Sequence, residues 1–572
     1  MAFRPYPFIV AISLIPALVA CSPAAAPSLD QRAGDQRTDV PADIPADIPK
    51  ASLSTAELTA LSAAPLHQDA TGTSDLVALV GVPGERDERF YRPLLAIDDD
   101  AAMPLPDILP DGAEVSYVVV DLDRGTTIAQ HDADRDHIPA SSAKLATAVV
   151  ALQLLGPDHR FRTELRATGP IENGVLKGDL VLKGGGDPVL DIPDLLPLIE
   201  ALARLPLRRI EGQFLIDDAL LPRFAEIEPS QPTEAAYNPG LGALSLAFNR
   251  VNLRWKNGKT PSFETLPHLD EASFQGAKPD RLPPTGVQLK RFDGQKAVWQ
   301  LADRGARRSK RSLPVKDPGL YAGRVFADLA ALHAIDLPAP KRISDRPAEG
   351  RLIAVHESRT LRELVRDMLW YSNNLVAELI GLAAARTVDP VAASLETSAG
   401  VVLSTLERQL SDTSWDKARL DNHSGLSNKA RLSPEQLAAI LRHGWNEGML
   451  SSLLPASGWS GTLARRFNDP DQAFRIWAKT GSMNYVATLG GYLLSPSHGP
   501  AAFVIMISNE KARAAYDSQP RRTRDGEKKA RAWKGGAEEV MNHIVERWLE
   551  PATARPAGSL YALSKPNAKT TN

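Results

Sequence analysis

The sequence predicts a mixed α/β (α+β) fold, in which one body of sheet and helices is interrupted by a large inserted mixed β/α region. Three observations carry this expectation. Val115 to Val120 is a β-rich run, Asp123-Arg124-Gly125 reads as a turn, and Thr126 to Gln130 reads as the return strand. From Ser141 to Leu155 the chain is Ala, Val and Leu nearly all round, the pattern of a buried helix. Near the other end, Arg475 to Ala478, Val486 to Leu494 and Ala502 to Ser508 are three β runs in hairpin order, and a helix from Ala537 to Leu549 closes the body.

The remaining segments follow in chain order. Residues 1–21 read as an export signal: Arg4 precedes an apolar stretch from Pro7 to Ala20, too short to span a bilayer, which takes about 20 residues. The stretch ends Leu18-Val19-Ala20-Cys21, similar to a bacterial lipobox in which Cys21 is lipidated and becomes the new N-terminus. The competing reading is an ordinary cleavable signal cut near Ala24-Ala25-Ala26, which would discard Cys21. Residues 22–104 read as a tether rich in Ala, Pro, Asp and Ser, with a repeat-like run from Asp39 to Pro49, and such composition buries too little apolar surface to offset chain entropy. Leu76 to Leu95 is more apolar and a candidate to dock on the body. The body takes residues 105–163 and 350–551, the insert residues 164–349, and residues 552–572 form a disordered tail. Two helical patterns, Thr360 to Trp370 and Leu375 to Arg386, are separated by Tyr371-Ser372-Asn373-Asn374, residues that favour caps and breaks over helix interiors.

Composition narrows the functional classes. Hydrophobic residues make up 43% and charged residues 24%, as in a globular chain, and 572 residues suggest roughly two to four units. The net charge of −3 gives no reason to expect nucleic acid as a partner. With Cys21 the single cysteine, no intrachain disulfide and no cysteine-rich zinc site can form. The eleven histidines show no His-Glu-x-x-His arrangement, so no metal is expected. Lys183-Gly184-Gly185-Gly186-Asp187 lacks the endings of a phosphate or dinucleotide loop and reads as a structural turn. The basic runs Arg304 to Lys316 and Arg521 to Lys534 read as solvated loops.

Three short motifs carry chemistry: Ser141-x-x-Lys144, Ser372-x-Asn374 and Lys479-Thr480-Gly481. Ser-x-x-Lys also occurs at Ser414 and Ser508, and Ser-x-Asn at Ser482, so context must choose. Ser141 opens a buried helix with Lys144 one turn on; Ser414 lies in a polar stretch and Ser508 at the end of a strand. A serine hydroxyl is a poor nucleophile until a base takes its proton. Lys144 can serve only when neutral, and burial plus a second cation at Lys479 would depress it. Backbone N–H groups at Ser141 and Ser482 would receive a developing oxyanion.

The set resembles the class C low-molecular-mass penicillin-binding proteins, the D-Ala-D-Ala carboxypeptidase/endopeptidase family, over about Leu105 to Pro551. Beyond the three motifs, the segment Ile138 to Thr147, the glycine signature Gly178 to Pro188, and Ala478 to Ser482 leading into Leu489-Gly490-Gly491-Tyr492 are similar to the family's. The 231 positions between Ser141 and Ser372 suit its inserted region better than the shorter gap of a small serine β-lactamase. One departure stands out: where the family has Asp-Gly-Ser-Gly-Leu-Ser, this chain has Asn422-His423-Ser424-Gly425-Leu426-Ser427.

The resemblance implies a penicillin-binding, serine β-lactamase-like transpeptidase domain with an insert, acting as a D-alanyl-D-alanine carboxypeptidase or endopeptidase. Ser141 would be acylated by the penultimate D-Ala and Lys144 would be the base. Ser372 would relay a proton to the leaving amine and Asn374 would hold a substrate amide. Lys479 and Thr480 would bind the terminal carboxylate, with Gly481 and Ser482 lining the same strand. No cofactor is implied. Partners would be peptidoglycan stem peptides, β-lactams as inhibitors, and a membrane through the Cys21 anchor. Ser22 after the cysteine favours the outer membrane of a Gram-negative periplasm. The rivals are a β-lactamase and a non-catalytic tethering lipoprotein on the same scaffold.

Overall fold

The structure is a computed structural model. It describes residues 105–550 except 256–261, 264–271, 278–281, 283–286, 293–296, 303–308, 344–349 and 520–522. Cys21, the 22–104 segment and the 552–572 segment lie outside the described residues.

Ten strands, labelled β1–β10 in chain order, form two five-stranded sheets. The first sheet joins the two ends of the body. It contains β1 (Glu114–Asp121), β2 (Thr127–His131), β8 (Ile476–Met483), β9 (Val486–Ser495) and β10 (Gly499–Ser508), in the order β8-β9-β10-β1-β2. β1 pairs antiparallel with β10 from Glu114↔Ser508 to Asp121↔Ala501, so residues nearly 400 positions apart form the centre of the sheet. The β8 strand is longer than its apolar run suggests: it continues through Lys479-Thr480-Gly481-Ser482 and forms the sheet edge.

One face of this sheet carries a helical layer built on α1 (Lys144–Leu155). Every residue of α1 from Lys144 to Leu152 is buried. Around it pack α4 (Leu361–Tyr371), α5 (Asn374–Val388), α6 (Leu395–Gln409) and α7 (Pro434–Asn446), labelled in chain order after two helices of the insert, α2 (Ile192–Ala203) and α3 (Pro318–Leu332). The opposite face packs against the long C-terminal helix α9 (Arg524–Leu549), which follows the short α8 (Glu510–Asp517), through Trp533, Ala537, Val540, Met541 and Ile544. Residues 524–534, read as part of a basic loop, belong to α9. Ala530, Trp533, Ala537 and Val540 recur at helical spacing and are buried, so tertiary packing carries the helix through Gly535-Gly536 while the Lys and Arg side chains lie outward.

The second sheet is made of residues between 162 and 357. It contains β3 (Arg162–Ala167), β4 (Leu180–Lys183), β5 (Phe214–Asp217), β6 (Lys341–Arg342) and β7 (Arg351–Glu357), in the order β6-β5-β4-β3-β7. It has its own core, with Leu182, Leu198, Phe214, Tyr321 and Phe326 fully buried beneath α2 and α3.

Candidate active site

The Ser141 turn is tighter than the expected helix start. Ala140–Ala143 form a 3-10 turn, and the α-helix proper begins at Lys144. Ala140 has φ +46°, a left-handed conformation costly for a residue with a Cβ. Neighbours on both sides hold this turn in place. Ser142 Oγ lies 2.7 Å from Thr488 Oγ1 of β9, which also donates to Pro139 O at 3.1 Å. Gly425, at φ +73°, approaches so closely that a Cβ there would lie 1.8 Å from Ala140 O.

The break between α4 and α5 places the second motif. Ser372 ends α4 in the left-handed region at φ +54°, and the Asn373 side chain caps α5 by accepting from Val376 N–H at 3.3 Å. This turns Ser372 and Asn374 toward the Ser141 turn. The third motif arrives on the sheet edge. Ile476 N–H donates to Ser457 Oγ and Ala478 N–H to Pro455 O across the outer edge of β8. The two-residue period of a strand puts the Thr480 and Ser482 N–H groups on that same edge. A Cβ on Gly481 would lie 3.0 Å from Ser141 N, so glycine permits the close approach of strand and turn.

Lys144, Ser141 and Asn374 meet directly. Lys144 Nζ lies 3.0 Å from Ser141 Oγ, 2.9 Å from Asn374 Oδ1 and 2.8 Å from Ser424 O. Lys479 Nζ lies 2.9 Å from Ser372 Oγ and 2.5 Å from Thr480 O. Both lysines are fully buried, whereas Ser141, Ser372, Asn374 and Thr480 are half-buried and Ser482 is exposed. Burial pulls the Lys144 amine down to about 7, with Glu378 drawing it partly back up. Burial, then the Lys144 charge, hold Lys479 well below its ordinary value. The two carbonyl oxygens on Lys144 occupy two of its protons and leave the third position aimed at Ser141. As an ammonium it donates there; as a neutral amine it presents a lone pair to the hydroxyl proton.

The decoy serines lie elsewhere. Ser508 Oγ is buried 2.8 Å from His137 Nδ1, and Ser414 sits on the loop after α6, its carbonyl bonded to the Gln436 side chain at 2.8 Å. His423, the departure from the family pattern, does not enter the cleft. Its ring is buried between α5 and α6, with Nε2 2.8 Å from Ser398 Oγ, in space left by Gly381. Burial pushes it down to about 3, so it is neutral.

Three residues of the site have no counterpart in the motifs. Glu378 is fully buried on α5 and accepts from the N–H groups of His423 at 3.0 Å and Ser424 at 2.9 Å. A lone carboxylate in the apolar run Leu375 to Ala385 was the signal available for it. The carbonyls of Ser424 and Tyr237 were not legible, because any residue supplies a carbonyl. Tyr237, from the insert, accepts from Asn374 Nδ2 at 3.1 Å. Among the described residues, no group of three or more His, Cys, Asp or Glu side chains is placed to hold a metal ion.

A serine paired at 3.0 Å with a buried lysine, beside a Ser-x-Asn turn and a Lys-Thr-Gly edge strand, defines a serine hydrolase of the penicillin-binding type. Comparison with known proteins agrees. The chain belongs to the D-Ala-D-Ala carboxypeptidase 3 (S13) family, whose model matches residues 99–525. It is 28% identical over 465 residues to a D-alanyl-D-alanine carboxypeptidase of Actinomadura sp., covering 75% of this chain and 82% of that one. It is 24% identical over 421 residues to the D-alanyl-D-alanine carboxypeptidase DacB of Haemophilus influenzae, covering 70% and 86%. The fold matches the crystal structure of penicillin binding protein 4 from Haemophilus influenzae with a TM-score of 0.66 at 22% identity, over 77% of this chain and 98% of that one. The same neighbour has also been solved in complex with a β-lactam.

Proposed function

We propose that this family member hydrolyses D-alanyl-D-alanine peptides of peptidoglycan through a Ser141 acyl-enzyme, as a carboxypeptidase, an endopeptidase or both, and that β-lactams inhibit it by acylating the same serine. The observation that carries this is the 3.0 Å contact between a half-buried Ser141 and a fully buried Lys144 held near neutrality. Neutral Lys144 takes the Oγ proton as Oγ attacks the carbonyl of the penultimate D-Ala. The Ser141 and Ser482 N–H groups receive the oxyanion. Ser372, bonded to Lys479, passes a proton to the leaving amine. Asn374 holds a substrate amide, and Lys479 with Thr480 binds the terminal carboxylate, a compact cation beside a hydroxyl. Water then hydrolyses the ester. Fluorescent penicillin should label the wild type and not Ser141→Ala. Lys144→Ala should dock penicillin yet fail to be acylated; normal acylation at neutral pH would refute its role as base. Lys479→Ala should slow turnover of a D-Ala-terminated peptide far more than of its amide, and equal losses on both would place Lys479 elsewhere in the mechanism.

We further propose that the protein is exported and lipid-anchored in the periplasm through Cys21, with the outer membrane favoured, and that residues 22–104 form its leash. The support is the Leu18-Val19-Ala20-Cys21 sequence and the composition that follows it. A flexible chain of ~80 residues has a root-mean-square reach of about 50 Å, enough to work on nearby wall while anchored. Cys21→Ala should leave the membrane fraction while purified activity is unchanged. A variant that still sediments with membranes, or a mature N-terminus beyond Cys21, would show the anchor to be wrong.

A further inference from the structure

We infer that Glu378 is a positioning residue for Lys144: its carboxylate, held by the N–H groups of His423 and Ser424, fixes the Ser424 carbonyl and supplies the buried counter-charge Lys144 needs when it takes the Ser141 proton. This rests on the reading of Lys144 as the base. The geometry is a closed relay. Glu378 follows Asn374 by one helical turn on α5, so both lie on one face of that helix. Asn374 Oδ1 bonds Lys144 directly at 2.9 Å. Glu378 acts one step removed: Oε2 accepts His423 N–H at 3.0 Å, Oε1 accepts Ser424 N–H at 2.9 Å, and Ser424 O then accepts from Lys144 Nζ at 2.8 Å. One helix face therefore sets both carbonyl oxygens that aim the Lys144 amine at Ser141. Thr147, on α1 beside Lys144, grips the same segment by donating to His423 O at 2.8 Å.

Charge makes a second argument. When the Oγ proton moves to Nζ, an ammonium forms on the fully buried Lys144, beside the equally buried Lys479. The titratable groups that interact with Lys144 are Lys479 from β8 and Glu378 from α5; His423 in the adjoining 422–425 segment is kept neutral by burial, so Glu378 is the acidic group available to balance the ammonium. Both Glu378 oxygens accept N–H bonds, the pattern that suits a carboxylate rather than a carboxylic acid. Burial holds its carboxyl above the ordinary carboxylate range, although the bonds from the 423–424 segment and the Lys144 charge draw it partly back down. A fully buried carboxylate within the apolar run Leu375 to Ala385 is costly, so its presence calls for a compensating partner.

The test is the pH dependence of acylation by fluorescent penicillin in wild type, Glu378→Gln, Glu378→Asp and Lys144→Ala. Without the carboxylate, nothing raises Lys144, and its ammonium loses the proton more readily. In Glu378→Gln the midpoint of the acid limb should therefore fall by roughly one pH unit. The weaker, less well-aimed base should lower the plateau rate by about tenfold or more, with penicillin affinity unchanged. A lower plateau with an unmoved limb marks Glu378 as a structural brace only and overturns the inference. Glu378→Asp keeps the charge but withdraws it by one methylene. It guards against a Gln variant that does not fold, and should lie between wild type and Gln in both readouts; a wild-type profile overturns the inference. Lys144→Ala separates the two levels. Normal acylation there sinks the base reading itself, whereas a dead Lys144→Ala beside an unmoved Glu378 limb sinks only the role of Glu378.

Discussion

His423 occupies space that any side chain at position 381 would claim. A Cβ on Gly381 would stand 2.1 Å from His423 Cγ, well inside contact distance, and His423 directly precedes Ser424, whose carbonyl bonds Lys144. Ordinarily, Gly to Ala inside a helix stabilises by about 1 kcal/mol. Here the clash should reverse the sign: Gly381→Ala should destabilise by about 1–3 kcal/mol, the usual range for overpacking, and slow acylation by displacing the 422–425 segment. In a His423→Ala background the same substitution should be neutral or stabilising. A double-mutant cycle from chemical denaturation measures this, and additive effects would show that ring and glycine do not share the space. The pairing also explains why a histidine replaces a glycine beside the active site without narrowing the cleft. The large residue turns inward because a hole is provided for it one helix away. Nothing in the local sequence around position 423 discloses that hole, since Gly381 lies 42 residues earlier inside an apolar helix.

At the scale of elements, the active site stands on contacts between strands from opposite ends of the chain, and His137 is one of the ties. Its imidazole is buried between Ser116 Oγ of β1 and Ser508 Oγ of β10, 2.8 Å from each, four residues before Ser141. Burial pushes it down to about 4. The folded state thus prefers neutral imidazole, and between about pH 6.5 and about pH 4 the unfolded chain binds more protons. The contribution is intact above the unfolded value and is lost as pH falls toward the folded one. At about pH 4.5 the loss amounts to about 2.5 kcal/mol. His137→Gln, which does not titrate, should lose correspondingly less stability than wild type between about pH 7.5 and about pH 4.5. His423 contributes equally to both proteins and cancels; parallel curves would refute the tie. The elements themselves were unevenly legible. The α4–α5 break was readable because Ser372 and Asn373 are residues that cap, and they do cap. The strand carrying Lys479 shows an apolar run only to Ala478, and it is the Lys-Thr-Gly motif, not apolar alternation, that places Lys479 to Ser482 on it; pairing with β9 carries the strand through Met483. The first half of α9 was missed for the reverse reason, its charges and glycines concealing a helix held by Ala530 and Trp533.

The molecule as a whole divides its labour between a body that supplies every motif residue and an insert that steadies them. Among the described residues, the insert reaches toward the site where Tyr237 O accepts from Asn374 Nδ2 at 3.1 Å and Gln231 Nε2 donates to Leu426 O at 3.4 Å. Behind these polar contacts lies an apolar bolt, in which Leu221, Ile227 and Leu241 from the insert pack on Leu375, Leu379 and Leu382 of α5. Leu375 directly follows Asn374, so the bolt and the site share one helix start. The sequence places an insert here but is silent on its role, because polar loops that touch a site and polar loops that face solvent have the same composition. The packing distinguishes them and makes a contrast between two core truncations. Ile227→Ala empties part of the bolt, and Leu198→Ala empties part of the separate core of the second sheet, which contains no residue of α5. Each should destabilise by about 2–5 kcal/mol, by loss of burial plus a residual cavity. Only Ile227→Ala should also slow acylation of the folded protein, by between about ten- and a hundredfold, since small misplacements of a positioning group are amplified in rate. Thermal melts and fluorescent-penicillin acylation on the same preparations separate the two effects. If both variants acylate at the wild-type rate, the bolt holds the insert without steering Asn374. If both slow equally, the whole insert is coupled to the site and the bolt has no special place in it.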